Sequence, residues 1–157
     1  AGKKYMDAIY VIPPVAASVF FIFLYSLFST IEYYYQKTGF IAIATCVCAV
    51  LNLVLNYFGI KMYGYYAAGY TTLICYVCLA FFHYIFYKKA LKEVGNEENM
   101  YDVKLIVSLS AIVIAIMIIM ALTYSQTWIR YGLLIAIVCV SIIFKNKILE
   151  AISALRK

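Results

Sequence analysis

Acidic residues are scarce in this 157-residue sequence, seven Asp and Glu in all, and charge of either sign vanishes for long stretches. No Asp, Glu, Lys or Arg occurs between Asp7 and Glu32, Lys37 and Lys61, Lys61 and Lys88, or Lys104 and Arg130. A helix needs roughly 20 apolar residues to cross a hydrocarbon core. Each gap is long enough, and water-soluble domains do not repeat such gaps four times in so short a chain. Charged residues make up 13% of the sequence, where roughly 25% is usual for a soluble domain. A soluble fold is excluded, and the expected class is all-α, a polytopic helical membrane protein.

Other absences narrow the function. There is no Gly-x-Ser-x-Gly, no His-Glu-x-x-His, no phosphate loop ending in Gly-Lys-Ser/Thr and no pair of intramembrane Asp. A membrane transferase needs an acidic or His-based site near one interface. Asp7 and Glu32 read as isolated and on opposite sides, so an enzyme is disfavoured. No carboxylate stands in the middle of any expected span, which argues against a proton or sodium coupling site there. The five cysteines all lie in apolar runs. Cys75-x-x-Cys78 lacks third and fourth ligands at metal spacing, since the single His83 lies further along the same span, so no metal and no cofactor is expected. The sequence shows no repeat and no low-complexity linker.

The charge that remains is basic, net +6. It sits at the ends of the apolar runs, as headgroup contact and topology require, which speaks against nucleic acid as a partner. The 17 Tyr suit interfacial anchoring or a polar interior path. Five spans are expected, at about 8–29, 40–58, 64–87, 105–124 and 128–144, with a connector over 88–104 and an amphipathic tail over 145–157. The fifth is short, with 14 uncharged residues between Arg130 and Lys145, and spans if those two side chains snorkel. Alternating loops place Lys3, Lys4, Lys61 and Arg130 on one side. The other nine basic residues fall on the opposite side, which the positive-inside rule makes cytoplasmic, together with the C-terminus. In the tail, Ile148, Leu149, Ile152 and Leu155 share one helical face, suited to the inner membrane surface.

Polar groups inside a span need a reason. Asn52 and Asn56, four apart, stack on one face of the second span. They either bond a neighbouring helix or line a cavity for a hydroxyl-rich substrate. His83 is either a proton-coupling residue or an interfacial one among Phe82, Tyr84 and Tyr87. Pro13 and Pro14, the only prolines, form either a hinge or a plain helix entry.

Three motifs in order carry a family resemblance. They are Tyr5-Met6-Asp7-Ala8 followed by Ile12-Pro13-Pro14; Tyr34-Tyr35-Gln36-Lys37-Thr38; and Asn52-x-x-x-Asn56 followed by Tyr63-Gly64, Ala67-Ala68 and Thr72. The stretch from Tyr5 to about Thr72 resembles Wzx-type oligosaccharide flippases of the multidrug/oligosaccharidyl-lipid/polysaccharide export superfamily. Lys61 stands where that family commonly has Pro, and Ala67 where it commonly has Gly. The resemblance implies flipping of a polyprenyl-diphosphate-linked oligosaccharide across a bacterial cytoplasmic membrane for surface polysaccharide assembly. It implies that this chain is the C-terminal part of a two-lobe transporter, partnered by an N-terminal lobe, by membrane lipids, and by polysaccharide polymerase and chain-length machinery. It makes Asn52, Asn56, Tyr25 and Tyr76 substrate-cavity candidates, Lys37 a diphosphate-attracting candidate, and Pro13 and Pro14 hinge candidates. The rival expectations are a drug or cation antiporter of the same superfamily, a membrane enzyme of envelope assembly, and a scaffold.

Overall fold

The computed structural model describes residues 9–95 and 100–123, together with single positions between 126 and 145. It contains four long helices: α1 (Ile12–Tyr34), α2 (Thr38–Tyr63), α3 (Ala67–Glu93) and α4 (Val103–Thr123). Each is long and apolar enough to cross a membrane. The protein is all-α and multi-pass. The chain divides into two compact units, residues 1–121 and 122–157. Residues 1–8, with the Tyr5–Ala8 motif, Lys3 and Lys4, residues 96–99 of the expected connector, most of the expected fifth span and nearly all of the tail lie outside the described residues. In the second unit, Trp128, Tyr131, Gly132, Ile135, Cys139, Ile142 and Lys145 are described, each in helical conformation.

The helices run past the ends that charge-free gaps suggest. α1 continues five residues beyond Ser29, and α3 continues through Glu93, so the first third of the expected 88–104 connector is helix. α1 opens with Pro13 and Pro14 in its first turn, both buried. There a missing N–H has no intrahelical bond to lose and the fixed φ suits the helix. The pair thus stands at a helix entry, directly after a 3₁₀ turn over residues 9–11. Hydroxyls along α1 are satisfied within the helix: Ser18 donates to Val15 O (2.6 Å), Ser26 to Ile22 O (3.0 Å) and Thr30 to Ser26 O (2.8 Å). Such back-bonding makes serine and threonine tolerable in a span.

α1 and α3 form the central pair and run in the same direction, with α2 returning between them in sequence and packing on α3. The seam on α1 is Ala17, Phe21, Leu24, Phe28 and Ile31, and on α3 it is Leu73, Ala80, Tyr87 and Leu91. Spacings of three, four and seven keep each set on one face. In lipid this seam is held by close packing and not by exclusion of water. Gly69 permits the approach where α3 starts: a Cβ there would lie 2.7 Å from Val11 Cγ1 and 3.3 Å from the Val11 carbonyl oxygen. α4 buries no residue fully, but Ile106, Val113, Ile114 and Met117 rest against the α1–α3 core.

The connections explain the turns. Gln36, at φ 57°, ends α1 in a left-handed step, and Lys37 N–H then donates to Glu32 O at 2.8 Å. Gly64 has φ 79°, which a side chain would strain, and its N–H donates to Ile60 O at 2.9 Å to close α2. Asp102 caps α4, its Oδ1 accepting from Lys104 N–H (2.9 Å) and Leu105 N–H (3.3 Å).

Candidate functional site

Two polar arrangements stand in the apolar helices. The first joins α2 to α3. Asn56 Nδ2 donates to Asn52 Oδ1 at 2.9 Å, and Thr71 Oγ1 donates to Asn56 Oδ1 at 2.6 Å. Asn56 is therefore occupied in holding two helices together, which is the hydrogen-bonding alternative for that residue. Asn52 ends the chain of bonds and also lines a groove of about 580 Å³ between α2 and α3, whose wall includes Thr45, Cys48, Thr72, Cys75 and Tyr76. Among the described residues the Asn52 amide donors meet no acceptor. Replacing Thr71 by Val should weaken α2–α3 association by about 0.6 kcal/mol, at most about 1.7, the range for interhelical hydrogen bonds in membranes. Denaturant unfolding in mixed micelles measures it. A larger loss would show that the Asn56 amide finds no substitute partner.

The second arrangement joins α1 to α3. Glu32 is 0% exposed and His83 1% exposed, and His83 Nδ1 lies 2.9 Å from Glu32 Oε1. Glu32 Oε2 is buried and accepts no hydrogen bond among the described residues. The Tyr25 ring stacks on His83 (centroids 5.6 Å apart, planes at 28°) and also on Tyr76 (6.4 Å, 10°). Tyr25 and Tyr76 are thus brought together, and Tyr76 continues into the groove that Asn52 lines.

This corrects one sequence expectation and adds to another. Glu32 is not isolated: it lies inside α1, one turn beyond Phe28 on the face packed against α3. His83 is turned into the α1–α3 seam and is among the most deeply buried side chains described. The charge-free gap ended at Glu32, and ending the expected span at about residue 29, before it, hid its burial. The available signal was spacing. Phe28 and Glu32 are four apart on α1, as are His83 and Tyr87 on α3, so the acid and the imidazole each continue a buried stripe.

Lys37 stands apart from both arrangements, its Nζ 2.6 Å from Glu93 Oε2. The sequence reading treated Glu93 as part of the connector and missed this partner. An anion attracted by Lys37 must compete with that carboxylate. Nearby, Lys88 lies over the Tyr84 ring (5.6 Å to its centroid) and Lys89 over the Phe40 ring (4.9 Å). Cys75 is buried and Cys78 half-buried, both as free thiols. Among the described residues no group of three His, Cys, Asp or Glu side chains could share a metal ion. Compared with family models, curated proteins and solved structures, the chain gives no match.

Proposed function

We propose that this chain is part of a transporter that flips a polyprenyl-diphosphate-linked oligosaccharide across a bacterial cytoplasmic membrane, with the C-terminus on the inner side. The observation that carries the reading is the α2–α3 groove. An amide with free donors (Asn52), two threonines and a phenol (Tyr76) line one side of an otherwise apolar transmembrane pair. Amide and hydroxyl donors suit sugar hydroxyls, and an aromatic ring suits the apolar face of a pyranose. The lipid tail of such a substrate needs no protein cavity, because the bilayer already dissolves it. The flippase-like motifs that contain Asn52 and Asn56 point the same way. In the parent transporter, Asn52→Leu is expected to leave lipid-linked units on the cytoplasmic leaflet, where a membrane-impermeant lectin cannot reach them in intact cells. Normal surface polysaccharide and unchanged lectin access in that variant would sink the reading.

The buried Glu32–His83 pair favours a second reading, a drug or cation antiporter of the same superfamily, because it supplies the intramembrane carboxylate that such transport needs. Deletion would then abolish drug resistance and leave surface polysaccharide intact.

A further inference from the structure

We propose that Glu32 and His83 together form a binding site for one exchangeable proton, and that losing this proton opens the packing between α1 and α3. The argument begins with what surrounds the carboxylate. On α1 the ionisable neighbour is Tyr25, stacked on the imidazole. On α3 they are Tyr76, Tyr84 and Tyr87, the last two gathered around Phe28. α2 contributes Cys48, buried in the cluster that Tyr25 and Tyr76 pack against. The only ionisable side chain on α4 is Lys104 in its first turn, preceded by Tyr101 in the loop. Of the positive charges at this end of the helices, Lys37 is engaged with Glu93, Lys88 with Tyr84 and Lys89 with Phe40, while Lys92 and Lys104 form no ion pair with Glu32. Among the described residues His83 is the one basic side chain within hydrogen-bond distance of Glu32.

With one proton on the pair, its net charge is zero, whether that proton is drawn on His83 Nδ1 or on a Glu32 oxygen. The two forms differ only by transfer along the 2.9 Å contact. If the proton passes to water, the carboxylate keeps a full negative charge beside a neutral imidazole. A buried charge without a partner is among the largest penalties in a protein interior. Water has to reach Glu32 Oε2, the oxygen without a hydrogen bond, to relieve it. Separating α1 from α3, the helices that bury it, gives that access. Proton release and separation of α1 from α3 are then coupled, and by linkage the ratio of open to closed form rises about tenfold for each unit of pH over the range where the open form has lost the proton and the closed form still holds it. The inference stands on the pair alone and does not depend on which substrate the transporter carries.

The test uses the full chain in lipid nanodiscs. His83 is the sole histidine, so isotope-labelled histidine gives one imidazole signal whose protonation is read directly by NMR. Hydrogen exchange of segments 28–36 and 80–91 reads opening as a protection factor, which removes the pH dependence of the intrinsic rate. The expected result is one imidazole transition, with protection in both segments falling by up to about tenfold per pH unit as that transition is approached from the acid side. In Glu32→Gln the fall should vanish. Should that variant fold poorly, the pair Glu32→Gln with His83→Gln keeps a hydrogen bond across the seam without a titratable group, and its protection should be independent of pH. Imidazole titration with unchanged protection, or no titration with flat protection, would reduce the pair to a structural pin and overturn the proposal. Protection that follows sodium concentration at fixed pH would overturn it in favour of a cation site.

Discussion

His83→Ala is expected to destabilise the α1–α3 pair by about 3–5 kcal/mol, the range for removing one partner of a buried ion pair. Its effect comes from what remains: Glu32 keeps a fully buried carboxyl whose Oε1 has lost its only side-chain partner and whose Oε2 had none. Replacing both residues by leucine should restore most of the stability, because two apolar side chains leave nothing unsatisfied. Unfolding by SDS in mixed micelles measures both variants against the unaltered chain. A loss near that of an exposed pair, below about 1 kcal/mol, would mean that the site is hydrated and the burial argument wrong.

Phe28→Ala is the second large effect. Phe28 is 2% exposed and sits among Tyr84, Tyr87 and Tyr101 at centroid distances of 5.5, 5.5 and 5.9 Å. In a bilayer the water-exclusion part of core burial is absent, since lipid dissolves a phenyl ring as well as a protein core does. What remains is the void. At about 24 cal/mol per Å³ of unfilled cavity, losing the ring costs about 2–3 kcal/mol. The lost edge-to-face and stacked contacts add about 1 kcal/mol. Phe23, on the same helix but 57% exposed, provides the control: Phe23→Ala should change stability by less than about 0.5 kcal/mol. Equal effects at the two positions would show that α1 does not use the Phe28 face as its packing seam.

These two positions mark what could be read from residues alone. Phe28 was legible in principle, because Ala17, Phe21, Leu24 and Phe28 repeat at helical spacing. In a helix that is apolar all round, however, spacing does not say which face meets protein and which meets lipid. The same limit applies to the asparagines. Their alignment on one face of α2 follows from a spacing of four, while the distinct jobs of Asn56 as a bond to Thr71 and Asn52 as a groove wall depend on where α3 lies. Lys37 shows the converse case: a cation at a span end is visible in sequence, and its carboxylate partner is 56 positions away.

The sequence by itself determined the class of the protein and the placement of four spans. Uncharged runs of that length suit hydrocarbon, and a backbone there must satisfy its own hydrogen bonds, which single runs of about 20 apolar residues do as helix. Only the tertiary structure decided that Glu32 meets His83, 51 positions along the chain. Solvation of a membrane segment depends on local composition and is summed residue by residue. Pairing depends on which faces of which helices touch, and in a chain where nearly every face is apolar that choice is made by shape: a glycine at position 69 that lets two helix starts close, and a ring at position 28 that fills the space between them.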